Sequence, residues 1–147
     1  MKKIIYLLIL IISVSCSNEP EPINYGADAC DFCEMTIVSS AFSAQAVSTK
    51  GKQFKYDAIE CMVNDLHQID VDMAVLRVAD YAHPGTMISV KDAVFVVNDS
   101  IKSPMGANLA AVKKNERKSL INTESTFDWE GLKVHFLRND SVYTINR

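Results

Sequence analysis

Two cysteines separated by two residues carry the most specific chemistry of this chain: Cys30-Asp31-Phe32-Cys33, followed at once by Glu34 and Met35. Such a pair can chelate one ion, cycle as a redox disulfide or anchor a haem. Haem attachment needs a histidine directly after the second cysteine, and Glu34 stands there. A thioredoxin-like redox pair needs a strand before it and a helix after it, so that the helix dipole lowers one thiol pKa. Nothing strand-like precedes Cys30, and Met35-Thr36-Ile37-Val38 reads as strand rather than helix. Met35 lies two residues beyond Cys33, which is the same side of an extended chain. Thiolate plus thioether is a soft donor set, favouring Cu(I) over zinc, calcium or magnesium.

Two further points offer sulfur. Cys61-Met62 falls in the first turns of an expected helix. Met62 sits on that helix's apolar stripe, where a methionine fills core, while Cys61 is one position off it and is either a small buried thiol or a ligand. Ser103-Pro104-Met105-Gly106 presents a methionine in a Pro-x-Gly turn, a poor place for core packing and hence a candidate ligand. Histidine adds little by this reading. His67 near a helix end and His135 in an expected strand look like surface residues, and His83 before Pro84 looks like a turn residue. Asp57, Glu60 and Asp65 are explained by helix capping and a solvated face. No Ser-His-Asp arrangement, phosphate-cradling glycine loop or zinc-hydrolase motif is present, so no catalytic residues are expected.

The N-terminus sets the compartment. Lys2 and Lys3 precede an apolar run over residues 4–12, and Ser13-Val14-Ser15 supplies small residues before Cys16. The run is shorter than the roughly 20 residues a membrane-spanning helix requires, so residues 1–15 read as a signal peptide. Cys16 is then the expected lipidated first residue of the mature chain, and residues 16–27, with Pro20 and Pro22, form a tether. Losing Lys2 and Lys3 takes the formal charge from −3 to −5. An acidic surface without a basic cluster argues against nucleic acid, and membrane attachment is expected from the acyl chains on Cys16. With Cys16 lipidated, Cys30, Cys33 and Cys61 remain, an odd number for an oxidising compartment. At least one thiol must stay unpaired or hold a metal.

These side chains need elements to position them. β-Branched and aromatic clusters predict a hairpin over residues 45–48 and 53–56 around Lys50-Gly51, strands over 74–81, 93–98 and 108–112, a late strand over 131–138, and a last short one over 142–145 after a turn at Asp140-Ser141. Asp57 with Glu60 three residues on reads as a capping box, and Ile59, Met62, Val63 and Leu66 as the buried face of a helix to about His67. A second helix is predicted from near Asn115 through 117–125, with Leu120 and Ile121 inward. The order suggests an α+β fold of two small similar lobes, each strand-strand-helix-strand (ββαβ), spanning 28–82 and 83–147. His83-Pro84-Gly85 supplies the turn between them.

These segments, taken in order, resemble the NosL family of nitrous oxide reductase accessory lipoproteins. The match runs through the lipoprotein cysteine, Cys33-Glu34-Met35, Ala44-Gln45-Ala46, Tyr56-Asp57-Ala58-Ile59-Glu60-Cys61-Met62, Asp92-Ala93-Val94-Phe95-Val96 and Ser103-Pro104-Met105-Gly106. The resemblance implies a Cu(I) chaperone, not an enzyme, that supplies the copper-sulfur centres of nitrous oxide reductase and works with the maturation transporter in the membrane. It implies two strand-strand-helix-strand lobes and places the copper ligands on Cys33, Met35 and Met105. The chain departs from many members in carrying Cys30 and Cys61, so these and Met62 are additional candidate ligands. The expected location is a lipid-anchored position on the periplasmic or cell-envelope side. Two other readings stay open: a thiol-disulfide redox lipoprotein using Cys30 and Cys33, and a structural zinc site built from Cys30, Cys33, Cys61 and a histidine, although zinc sites of that kind usually draw on two paired motifs.

Overall fold

The computed structural model describes residues 18–119 and 125–144. The signal peptide and Cys16 lie outside the described residues, as do Leu120 and Ile121.

The expected hairpin forms β1 (Ala44–Ser48) and β2 (Gln53–Tyr56), with Ala44 opposite Tyr56. Its turn works because Gly51 takes φ +82°, a conformation costly for any residue with a Cβ. β3 (Met73–Ala79) joins the other edge of β1, and a short β4 (Met87–Ser89) that periodicity did not mark completes an antiparallel sheet in the order β2-β1-β3-β4. β1 is buried along its whole length, as befits a strand flanked on both edges and covered by α1 (Ile59–Gln68), which packs on β1 and β2. A second sheet, ordered β6-β5-β7, is built from β5 (Ala93–Val97), β6 (Leu109–Lys113) and β7 (Ser125–Phe127). Between β6 and β7 a 3-10 helix covers Lys114–Ser119.

The architecture is α+β as expected, with departures in the C-terminal third. Residues 131–138 and 142–144 are not strands, nor is Asp140-Ser141 a turn: all lie in α2 (Trp129–Thr144). Asp128 Oδ1 accepts the Gly131 N–H at 2.8 Å, which gives the first turn a side-chain acceptor. Leu132, fully buried, and Phe136, half-buried four residues on, then face the core together. Alternating β-branched residues misled here because burial follows the helical spacing. The predicted second helix is replaced over its described part by the 3-10 turn, and β7 was not anticipated. The second sheet takes its strands in the order strand-strand, 3-10 helix, strand, with α2 following β7, whereas the first has α1 between β2 and β3 and a fourth strand after them.

One hydrophobic cluster runs through both sheets. It takes Ala44, Tyr56 and Val78 from the first, Phe95 and Leu109 from the second, Met62 from α1 and Leu132 from α2. Cys30 and Cys61 belong to the same cluster, so the sulfur chemistry is set into the wall of the core. Among the described residues no helix is long and apolar enough to cross a membrane.

Candidate metal centre

The Cys-x-x-Cys segment folds back on itself before β1 begins. The Cys30 N–H donates to the Met35 carbonyl at 2.8 Å, the Glu34 N–H to the Cys30 carbonyl at 2.9 Å, and Ala29 bridges Thr36 in antiparallel fashion. Such a tight reversal needs one residue of positive φ, and Glu34 takes it at 62°. The chain is therefore not extended between Cys33 and Met35. The knuckle is fastened to the free edge of β2 by the Asp31 N–H donating to the Lys55 carbonyl (2.9 Å), the Lys55 N–H returning to Asp31 Oδ2 (2.7 Å), and a Lys55 Nζ to Asp28 Oδ2 ion pair at 2.6 Å.

Behind the knuckle lies the start of α1, and it is not closed by a capping box. Its N-cap residue is Ala58, with no side-chain cap bond. Asp57 instead accepts the Val38 N–H at 3.3 Å, tying the knuckle's far strand to the helix. Glu60 turns inward, is buried, and accepts the Ser103 hydroxyl on Oε1 at 2.5 Å. Asp65 is not simply solvated either, since it accepts the Tyr56 hydroxyl at 2.7 Å. The two carboxylates assigned to capping thus position the site: one holds the knuckle, the other holds the turn that carries Met105. Sequence reasoning missed both, because S/D-x-x-E spacing is also satisfied by two acids that face inward.

The result brings Cys30, Cys33 and Cys61 together, their sulfurs all within 4.8 Å of one another. All three are free thiols. Cys30 and Cys61 are buried, and Cys33 is half-buried at the opening. Cys30 is pushed down to about 5, first by the hydrogen bond from the Cys61 thiol, with N–H groups of Cys33, Asp57 and Phe32 helping against the opposing effect of burial. Cys61 is pushed up because it donates that bond and is itself buried, and Cys33 rises mainly by burial. The hydrogen bonds that converge on the Cys30 sulfur favour its thiolate over those of Cys33 and Cys61, and a soft cation entering the trio would displace protons.

The other candidates are placed differently. Met35 and Met105 are 56% and 44% exposed, so neither thioether is consumed by packing. Met62 is fully buried beside Cys61. The Ser103–Glu60 bond fixes the Met105 turn to the residue preceding Cys61. No histidine joins the thiols among the described residues, which leaves the zinc reading without its fourth ligand. The Cys30/Cys33 pair sits in a hairpin knuckle and at no helix N-terminus, so the redox reading lacks its dipole. His83, expected as a plain turn residue, groups with Asp80 and Glu116.

A family model described as NosL matches residues 23–121, about two thirds of the chain. Among solved structures, the copper chaperone NosL from Shewanella denitrificans aligns with a TM-score of 0.64 at 15% identity, over 78% of this chain and 95% of that one. That likeness is one of fold. No curated protein sequence matches.

Proposed function

The chain belongs to the NosL family, and we propose on that footing that it is a carrier of Cu(I), taking the ion on sulfur and handing it on without turning over a substrate. The observation that carries the reading is the meeting of three thiols from two distant segments within 4.8 Å. Thiolate and thioether donors suit a soft monovalent ion, and a trio with no histidine beside it suits Cu(I) better than the closed four-ligand site zinc prefers. The Shewanella denitrificans protein of the same fold is named as a copper chaperone.

In this reading Cys30 is the resident thiolate, Cys61 gives up its proton as the ion enters, and half-buried Cys33 stands at the mouth. Met35 and Met105, exposed on separate turns, are the neutral donors that meet the ion first and release it to a recipient. The recipient we propose is nitrous oxide reductase during assembly of its copper-sulfur centres, with the maturation transporter in the membrane as partner. Lipidation at Cys16 would hold the carrier at the cell-envelope side of that membrane.

Metal analysis of the reduced chain and of Cys61→Ser, each purified after expression with copper and zinc in competition, tests the class: one copper per chain that is lost in Cys61→Ser is the expected result, and zinc without copper, lost in the same variant, would make the trio structural. Met105→Leu keeps volume and apolarity while removing the thioether. It should weaken Cu(I) in a competition titration against a chromogenic chelator and leave the metal-free melting temperature almost unchanged, since volume-conserving swaps cost under ~1.5 kcal/mol even in cores. Unaltered affinity would take Met105 out of the site.

A further inference from the structure

A second group of metal-capable side chains lies away from the thiols, in the turn that follows β3. Asp80 is fully buried, and its Oδ2 lies 3.0 Å from His83 Nδ1. Glu116 Oε2, from the 3-10 helix after β6, lies 3.3 Å from the same nitrogen. The three ligand atoms are within 4.8 Å of one another.

The arrangement is built by backbone. The Asp80 N–H donates to the Thr86 carbonyl (2.8 Å), the His83 N–H to the Asp80 carbonyl (3.0 Å), and the Thr86 N–H to the His83 carbonyl (3.0 Å), closing the turn twice over. Gly85, at φ +91°, lets its N–H reach the Ser40 carbonyl at 2.9 Å. The Tyr81 N–H binds the Ala111 carbonyl at 2.8 Å, pinning the turn to β6 and so to the strand that leads into Glu116. The Ala82 N–H occupies Asp80 Oδ1 at 3.2 Å, which leaves Oδ2 aimed at the imidazole.

A buried carboxylate is costly unless a full positive charge or a metal accompanies it. The only ionic partner Asp80 has among the described residues is His83, an imidazole with 59% of its side chain exposed. Two carboxylate oxygens converge on one ring nitrogen, whose single N–H can satisfy only one of them well. A dication in place of that proton answers both. We propose that Asp80, His83 and Glu116 form a second metal site, for a divalent first-row ion of the Zn(II) or Co(II) class, chemically and spatially distinct from the thiols. One imidazole and two carboxylates, with solvent open on the His83 side, are an oxygen- and nitrogen-rich set suited to borderline and harder ions rather than to Cu(I). A bound ion would join the turn after β3 to the segment after β6.

The test is an anaerobic Co(II) titration of the intact, reduced chain, with Zn(II) as competitor. Co(II) on thiolates gives intense near-ultraviolet charge-transfer bands, whereas Co(II) on nitrogen and oxygen gives only weak visible bands, so the two sites are read separately in one sample. The expected result is one equivalent of Co(II) with the weak bands, displaced by Zn(II), and paramagnetic shifts on the His83 ring protons. His83→Gln and Glu116→Gln should each lower that affinity at least tenfold, and Cys33→Ser should leave it unaltered. Metal-free melts accompany each variant. His83 is exposed enough for its variant to fold, so the result does not depend on an Asp80 substitution. Co(II) seen only through thiolate bands, or weak-band affinity unmoved by His83→Gln, would overturn the proposal and leave the trio as an ion pair.

Discussion

The thiol trio and the carboxylate-imidazole trio are alike in compactness and opposite in almost every other respect. Each draws two members from a short local segment, Cys30 with Cys33 and Asp80 with His83, and a third from elsewhere in the chain, Cys61 and Glu116. The thiols sit in the wall of the core, two of them buried, with hydrogen bonds from a neighbouring thiol and backbone N–H groups converging on the Cys30 sulfur. The carboxylate trio stands at the outer side of a turn, with its histidine mostly in solvent. His83 is held above the ordinary histidine range, first by its hydrogen bond with Asp80 and then by Glu116, with nearby Lys113 opposing. The lesson is that a local pair supplies ligand type while the distant third member supplies the cage. Softness and burial then separate the two sites: polarisable sulfur tolerates a place in the core, whereas carboxylates need compensation there.

Copper affinity should separate the trios most sharply. Cys61→Ser removes one buried sulfur and should weaken Cu(I) by more than the about 10–100-fold that loss of a mere outer-shell partner costs. His83→Gln should leave Cu(I) affinity where it was. A drop in both variants, in the same chelator competition, would mean that the trios are not independent.

A smaller effect is expected where the sulfur site leans on a buried polar contact. Glu60 Oε2 has no hydrogen-bond partner among the described residues, and burial holds this carboxyl above the ordinary glutamate range, against the hydrogen bond from Ser103. Ser103→Ala strips the partner of Oε1 as well and should lower metal-free stability by about 1–3 kcal/mol, measured by urea unfolding. A neutral result would show that the Met105 turn is not held through Glu60.

The smallest effect concerns acid. Lys55 beside Asp28, with the Asn24 N–H, holds the Asp28 carboxyl below the ordinary aspartate range. A depressed carboxyl contributes stability above its unfolded-state pKa and loses it as pH falls through the folded value. Asp28→Asn should therefore lower the melting temperature slightly near neutrality, by little because surface pairs count for little, and leave it unaltered at low pH where Asp28 is protonated, so that part of the acid-side decline disappears. An unchanged acid limb would free the cysteine knuckle from this anchor.

Much of the fold was legible as local pattern. The hairpin around Gly51, α1 with its stripe of Ile59, Met62 and Val63, and β3, β5 and β6 followed from periodicity and turn chemistry. α2 did not, since Val134, Val142 and their neighbours read as strand until Asp128 and the spacing of Leu132 and Phe136 are set against a core. The short strands β4 and β7, three residues each, carry too few positions for any period to show. Of the candidate ligands, Cys30 and Cys33 were nominated by their spacing, Met35 by an extended chain that the structure replaces with a reversal, Met105 by its turn, and Cys61 as a sulfur without a settled role; the choice of Cys33, Met35 and Met105 as the set came from the resemblance. The inward roles of Asp57 and Glu60 were hidden behind a spacing that helix caps share.

What the sequence determined by itself is ligand chemistry: soft sulfur at residues 30, 33, 35, 61 and 105, with Met105 in a Pro-x-Gly turn; the tight reversal at Glu34 came only with the structure. Side-chain softness and turn preference are properties of a few neighbouring residues, so no long-range information is needed to read them. Which sulfurs meet was decided by tertiary structure alone. Cys61 reaches the Cys30/Cys33 knuckle because Asp31 and Lys55 dock that knuckle on the edge of β2 while Asp57 ties it to the start of α1, and Glu116 reaches His83 because Tyr81 is bonded to β6. Contacts across tens of residues depend on how strands register and pack, and no local pattern encodes that distance.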